Sequence, residues 1–169
     1  HRSHPLMIIG AGSNLLVRDG GMRGIMLKLA DDFEVIHLEP GVNGSSAMIT
    51  AGAAVLVRRL GKHALDHELA GLNFALGIPG AVGGALTMNA GAWGGCMADI
   101  TSSIRVLNRY GDISSMIRDH LRFSYRGLDL EKGTIILSGE FKLEHADREA
   151  TQKEAIRMQQ KRRFSQPLS

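Results

Sequence analysis

Apolar residues along the chain change period several times, and each change marks an element. Leu6-Met7-Ile8-Ile9 is a short continuous apolar run ending at Gly10, the pattern of a buried strand entering a turn. Gly24–Leu29 (GIMLKL), Phe33–Leu38 (FEVIHL) and Ser46–Ala51 (SAMITA) predict further strands. Between residues 54 and 69 the period becomes helical. Leu56, Leu60, Ala64 and Leu65 share one face, while Arg58, Arg59, Lys62 and Asp66 lie elsewhere on the wheel. Ile104–Asn108 and Ile113–Met116 flank Arg109-Tyr110-Gly111-Asp112, which predicts a β-hairpin with a glycine-containing turn. Thr134–Glu144 (TIILSGEFKLE) predicts a long strand. From Asp147 to about Arg163 the sequence is charged and helix-prone, with Asp147 as the N-cap and Pro167 just beyond the end. Regular βαβα alternation is absent, so the expected class is α+β rather than a doubly wound sheet.

Residues 71–95 follow neither period. Gly71, Gly77, Gly80, Gly83, Gly84, Gly91, Gly94 and Gly95 crowd a segment that is otherwise apolar, unlike a Ser/Pro-rich linker. Such a segment lets backbone approach something flat or charged with its N–H groups available as donors.

Composition narrows the function classes. The chain has 169 residues, 44% hydrophobic and 22% charged, enough for one domain with a real core. Its net charge of +3 owes much to Lys161-Arg162-Arg163, which suits a helix end. Aromatics are 5% and no basic stripe with aromatic platforms occurs, so no nucleic-acid partner is expected. No apolar run reaches the roughly 20 residues of a membrane span, and no signal peptide is visible, so no membrane partner is expected either. The single cysteine, Cys96, has no disulfide partner and no metal-ligand spacing, so an inert thiol in a reducing, cytoplasmic setting is expected. His63 and His67 fall four apart on the predicted helix without an acidic third ligand, and no metal site is assigned to them. Both ends of the sequence have the look of cuts within a longer chain.

Three short segments carry candidate chemistry. Gly10-Ala11-Gly12-Ser13-Asn14-Leu15 directly follows a predicted strand. A Rossmann fingerprint would need glycine where Leu15 stands, followed by a helix. A strand followed by GxGSN can instead form either a tight structural turn or a nest of N–H groups for a phosphate, with Ser13 and Asn14 adding side-chain donors. The second segment is Gly77-Ile78-Pro79-Gly80-Ala81-Val82-Gly83-Gly84-Ala85, continuing through Met88-Asn89-Ala90-Gly91-Ala92-Trp93-Gly94. Its glycines and proline fix a particular backbone path. The third is Phe123-Ser124-Tyr125-Arg126, in which a lone Tyr-Arg pair has no meaning by itself.

In this order and spacing, GAGSNLLVRDGG, GIPGAVGGALTMNAGAWGG and FSYR resemble the UDP-N-acetylenolpyruvylglucosamine reductase (UDP-N-acetylmuramate dehydrogenase) family over nearly the whole chain. The resemblance implies a vanillyl-alcohol-oxidase (PCMH) type FAD-binding domain made of two α+β subdomains, the first incomplete here. It divides the chain into residues 1–52, the remainder of the first subdomain, 53–145, the second, and 146–169, a helix leading to a substrate-binding domain. It implies FAD with its pyrophosphate on Gly10, Gly12, Ser13 and Asn14 and on Gly80, Val82 and Gly83, with Ala11, Leu15 and Ala81 also binding the cofactor. On that reading a side chain at Gly83 would block the pyrophosphate. Asn89, Ala90 and Gly91 would line the flavin. No histidine stands in the first turn, so FAD is expected to be non-covalent.

The implied reaction transfers hydride from NADPH, through FAD, to the enolpyruvyl group of UDP-N-acetylglucosamine enolpyruvate in a monomeric cytoplasmic enzyme of peptidoglycan precursor synthesis. Arg126 would be the catalytic residue, holding the substrate carboxylate with its planar guanidinium, and Tyr125 would help shape that pocket. Gly127-Leu128 follow Arg126 where many relatives place a serine. The family's proton-donating serine and a later glutamate fall beyond this sequence, so this stretch alone is expected to be inactive. The alternatives are another FAD-dependent oxidoreductase on the same scaffold, or a catalytically incomplete FAD- or nucleotide-binding fragment.

Overall fold

The computed structural model describes residues 4–41 and 44–165. Strand β1 (Leu6–Ile8) pairs in parallel with β2 (Ile25–Leu27), and Ile9 N–H extends the ladder to the Leu27 carbonyl at 2.9 Å. The long connection between them, residues 9–24, holds the GAGSN turn. Every residue of these two strands is exposed; Leu6 and Ile25 each keep 55% of their surface.

The rest of the chain is organised by a second sheet. After a 3-10 turn at Asp31–Glu34 come β3 (Ile36–Pro40) and β4 (Ser46–Gly52), then α1 (Val57–Asp66) and β5 (Leu69–Ala70). A 3-10 turn at Asn73–Gly77 leads to α2 (Val82–Thr87). The tight ladder β6 (Gly91–Ala92) and β7 (Gly95–Cys96) precedes a single turn of helix, α3 (Met97–Ile100). Next are the hairpin β8 (Thr101–Leu107) and β9 (Ile113–Ile117), the smaller hairpin β10 (Phe123–Ser124) and β11 (Gly127–Leu128), the strand β12 (Ile135–His145) and α4 (Arg148–Ser165). The large sheet is antiparallel in the order β3-β4-β12-β8-β9, with β5 on the far end of β12.

Central β12 is the longest strand, and its apolar side chains anchor the core. Phe141 is fully buried and Leu143 nearly so. They pack with Ile49 from β4, Ile104 from β8 and Leu86 from α2. Burying side chains of this size supplies about 1.5–3 kcal/mol each relative to exposure. Helices α1 and α4 pack around the Asn73–Gly77 turn, and Asn73 Nδ2 donates to Glu154 Oε2 at 2.6 Å, tying α4 to the glycine-rich segment. Asp147 caps α4 as expected, its Oδ1 accepting the Ala150 N–H at 2.8 Å. The expected stop at Pro167 lies outside the described residues.

Three boundaries differ from expectation. The strand predicted from Phe33 begins only at Ile36, because Phe33 turns back and its carbonyl accepts the Ala54 N–H at 3.0 Å. Gly52 permits that contact, since a Cβ there would lie 2.1 Å from the Phe33 oxygen. The helix predicted over 54–69 spans Val57–Asp66 and buries Val57, Leu60, Gly61 and Ala64. It ends where Glu68 turns left-handed, φ 59°, and feeds β5. Finally, a division after residue 52 would cut the large sheet, because β3 and β4 belong to it through β12. The seam lies between β2 and β3.

Candidate cofactor site

The connection after β1 presents donors. Among the described residues, the backbone N–H groups of Gly10, Ala11, Gly12, Ser13 and Asn14 have no protein acceptor; the Leu15 N–H closes a turn onto the Gly12 carbonyl at 3.3 Å. Gly12 is left-handed, φ 73°, and a Cβ there would meet nothing within 4 Å. Successive N–H groups exposed on such a turn form a concave anion cradle.

The second loop, Ile78–Gly84, runs alongside. Ser13 Oγ donates to the Pro79 carbonyl at 3.0 Å and so fastens the two loops together. Here the backbone is largely engaged with protein. Val82 N–H donates to Val55 O at 2.8 Å, Gly83 N–H to Ala53 O at 2.9 Å, and Gly80 O accepts Val57 N–H at 3.0 Å. A Cβ on Gly83 would stand 3.0 Å from Ala53 Cβ. The tightness at Gly83 is with the protein's own chain, while the residue also lines the larger of two cavities along the seam. Gly84 has a more open environment: a Cβ would meet nothing within 4 Å, and its N–H has no acceptor among the described residues. Sequence reasoning did not separate Gly84 from Gly83, because adjacent glycines carry no sign of which one faces outward.

Two adjoining cavities run along the seam. One, of about 480 Å³, lies between Ile8–Ala11, Lys28 and Leu29 on one side and Ala53–Leu56, Arg59 and Ile135 on the other. The second, of about 240 Å³, is lined by Gly10–Leu15, Ile78–Ala81, Ala90 and Arg126. They share Gly10, Ala11, Ala81, Gly84 and Met88, so the donor-rich turn and the side-chain-free Gly84 form the waist between them. An elongated ligand with a negatively charged middle fits this groove, since the waist offers N–H donors and no carboxylate.

Of the remaining expected site residues, Ala90 lines the smaller cavity. Val82, Asn89, Gly91 and Tyr125 line neither cavity. Val82 is fully buried, and a Cβ on Gly91 would strike Gly95 O at 2.6 Å, which identifies close pairing of β6 and β7 as its requirement. Tyr125 is 95% exposed at the tip of the β10–β11 hairpin. Arg126 beside it adopts φ 64° and reaches the smaller cavity. Cys96 stands at the start of α3, where burial and the Asp99 carboxylate push its thiol above the usual range, the environment of an unreactive thiol. His63 Nε2 is buried without a partner, and burial, with the neighbouring His67, lowers its pKa. Among the described residues no group of three metal-ligating side chains occurs.

Comparison with known proteins decides the ligand class. The profile of the FAD-binding domain family matches residues 1–116, which include both loops and the waist. The chain belongs to that family. Its groove accords with FAD, whose pyrophosphate is the negatively charged middle of an elongated molecule.

Among curated proteins, the chain is 42% identical over 146 residues to UDP-N-acetylenolpyruvoylglucosamine reductase of Clostridioides difficile, covering 86% of this chain and 46% of that protein. It is 42% identical over 165 residues to the same-named protein of Streptococcus thermophilus, covering 97% and 52%. The chain thus spans about half the length of the curated relatives it matches. Among solved structures, UDP-N-acetylenolpyruvylglucosamine reductase from Thermus caldophilus superposes with a TM-score of 0.86 at 32% identity, covering 99% of this chain and 59% of that one. Cholesterol oxidase from Brevibacterium sterolicum shares the fold, with a TM-score of 0.60 at 14% identity. This α+β FAD-binding architecture is the class expected from sequence. No described helix is long and apolar enough to cross a membrane.

Proposed function

We propose that this chain is the FAD-binding core of a UDP-N-acetylenolpyruvylglucosamine reductase that uses NADPH to reduce UDP-N-acetylglucosamine enolpyruvate. The observation that carries the reading is the convergence of the Gly10–Asn14 cradle, Gly84 and Arg126 on one groove. Likeness to the reductases named above supports it. The N–H groups of Gly10–Asn14, with Ala81 and Gly84, hold the pyrophosphate. On this reading the larger cavity would hold the adenosine half, and the smaller, lined by Ala90 and Arg126, would hold the flavin. FAD, when bound, supplies a carrier for two electrons between nicotinamide and substrate.

Arg126 acts on the second substrate. An enol ether accepts hydride poorly unless the neighbouring carboxylate takes up the developing charge, and a guanidinium holds a carboxylate by two charge-assisted bonds. Its contribution grows as that charge develops. Arg126, at the hairpin tip, lines the smaller cavity, which supports a role for it beside the flavin. The likeness to the reductases also supports a cytoplasmic, monomeric enzyme with non-covalent FAD, no histidine being available in the Gly10–Asn14 turn for attachment.

Stopped-flow flavin absorbance on the protein at its relatives' full length separates the two halves of the reaction. In Arg126→Ala, bleaching by NADPH should proceed at nearly the normal rate. Reoxidation by the enolpyruvyl substrate should slow on the order of 10²–10³-fold, the scale for removing one preorganised donor. Arg126→Lys should recover little, because an ammonium lacks the two-pronged geometry. Equal slowing of both halves would assign Arg126 to the fold or to flavin binding instead.

A further inference from the structure

Arg126 sits in a backbone conformation that an arginine adopts rarely, so something outside the turn has to hold it. Residues Tyr125 and Arg126 form the two-residue connection of β10–β11, with Ser124 paired to Gly127 and Arg126 at φ 64°. A left-handed non-glycine residue is costly and persists where its surroundings over-determine it. The hairpin has two residue pairs, closed at its base by Asp129 N–H to Arg122 O at 3.0 Å. A ladder of that length is marginal by itself. Within the tip Ser124 Oγ reaches the Gly127 carbonyl at a long 3.4 Å, and from outside it Asn89 Nδ2 donates to the Ser124 carbonyl at 2.9 Å, one residue before Tyr125.

Asn89 is itself rigidly set. It occupies the left-handed position after α2, φ 41°, with its N–H on Leu86 O at 3.1 Å and the next N–H, of Ala90, on Ala85 O at 2.8 Å. That pair of bonds is a Schellman cap, whose left-handed residue is usually glycine and sometimes asparagine. The side chain explains asparagine here. Its Oδ1 accepts the Ala98 N–H at 3.0 Å, serving a first-turn donor of α3, while Nδ2 faces Ser124. The amide orientation follows from the partners, since Ala98 supplies a donor and Ser124 an acceptor.

We propose that Asn89 is a positioning residue, whose amide clamps the Ser124 carbonyl to the end of α2 and thereby sets the direction in which Arg126 presents its guanidinium to a carboxylate. The proposal rests on the reading of Arg126 given above. It assigns Asn89 a role by way of the hairpin rather than contact with the flavin.

Two variants isolate the effect. Asn89→Asp keeps the acceptor for Ala98 and places an oxygen against the Ser124 carbonyl. Asn89→Gly relieves the left-handed strain and removes both side-chain bonds, so a mere cap residue would tolerate it or gain stability. In the 169-residue chain, amide hydrogen exchange at Gly127, paired with Ser124, and at Asp129, bonded to the Arg122 carbonyl, should accelerate in both variants while β12 stays protected. In the full-length protein both should retain flavin content and the rate of reduction by NADPH. Substrate-driven reoxidation should slow about tenfold, the equivalent of roughly 1.4 kcal/mol.

Unchanged exchange at the hairpin overturns the clamp. Faster exchange with normal reoxidation, in a protein whose Arg126→Ala form is slow, overturns the positioning role and leaves Arg126's role standing. If Arg126→Ala is itself normal, the functional reading fails, and the exchange result still decides the clamp.

Discussion

The two glycine-rich loops beside the groove use glycine for opposite ends. In Gly10–Asn14 the backbone points outward: five consecutive N–H groups have no acceptor among the described residues, and a side chain at Gly12 would enter open space. In Ile78–Gly83 much of the backbone points inward: the Val82 and Gly83 N–H groups and the Gly80 carbonyl are taken by Val55, Ala53 and Val57, and Gly83, although it lines the larger cavity, is tight against Ala53. The first loop is built to receive something; the second is built to hold α2 and β4 together so that Gly84 meets the first loop. Dense glycine therefore marks close approach without saying what is approached.

The largest test of this contrast is Gly83→Leu. A Cβ there stands 3.0 Å from the Ala53 Cβ, a residue 5% exposed, so a branched side chain must push the Ala53 segment away from α2 or turn into the larger cavity, which Gly83 lines. Overpacking of this kind should cost up to about 3 kcal/mol, or roughly 6–12 °C in Tm for a domain of this size. The loss should appear in flavin-free protein, because it precedes any ligand. Flavin-free Gly83→Leu melting like the parent, while failing to bind FAD, would show that both loops face the ligand and would abolish the contrast.

Gly84 supplies the complementary case one residue away. Gly84→Ala puts a methyl group into the waist and touches no protein atom within 4 Å. Helix α2 should be unchanged or stabilised by up to about 1 kcal/mol, alanine being the better helix former. FAD should bind about tenfold more weakly, near 1.4 kcal/mol, because the methyl group holds the pyrophosphate off its donors. Titration of the flavin-free protein with FAD, read beside its melting curve, checks both signs together. A lowered Tm with normal FAD affinity would exchange the roles given to Gly83 and Gly84.

Legibility in the sequence followed length and periodicity. The central strand Ile135–His145 and the β8–β9 hairpin were readable because long alternating or apolar runs flank clear turn residues. The four-residue α3 and the 3-10 turn at Asn73–Gly77 were not, since neither is long enough to show a period. The site was legible as three motifs. Their meeting was not, because the Ser13–Pro79 bond joins residues 66 apart and the Asn89–Ser124 bond residues 35 apart. Asn89 stands in the sequence as a polar side chain among apolar and glycine neighbours. The use of its amide, bracing a hairpin, depends on which carbonyl the fold brings to it.

The smallest effect belongs to the link between the loops. Ser13 Oγ donates to the Pro79 carbonyl, and Gly80, next to Pro79, is left-handed, φ 131°, with a would-be Cβ 3.2 Å from Ser13 Oγ. Ser13→Ala removes that bond and leaves the Ser13 N–H in the cradle. Both partners are exposed, so water replaces the lost donor on the Pro79 carbonyl and global stability should hardly move. What changes is the readiness of the cradle, which has to be ordered again when ligand arrives. A net hydrogen-bond contribution of about 0.5–1.5 kcal/mol then appears as FAD affinity lowered by roughly two- to tenfold, with Tm unaltered. Ser13→Thr keeps the hydroxyl and should bind FAD nearly as the parent does. If alanine and threonine weaken FAD equally, the hydroxyl does not link the loops in solution. If alanine instead lowers Tm as far as Gly83→Leu does, the first loop is as much a packing element as the second.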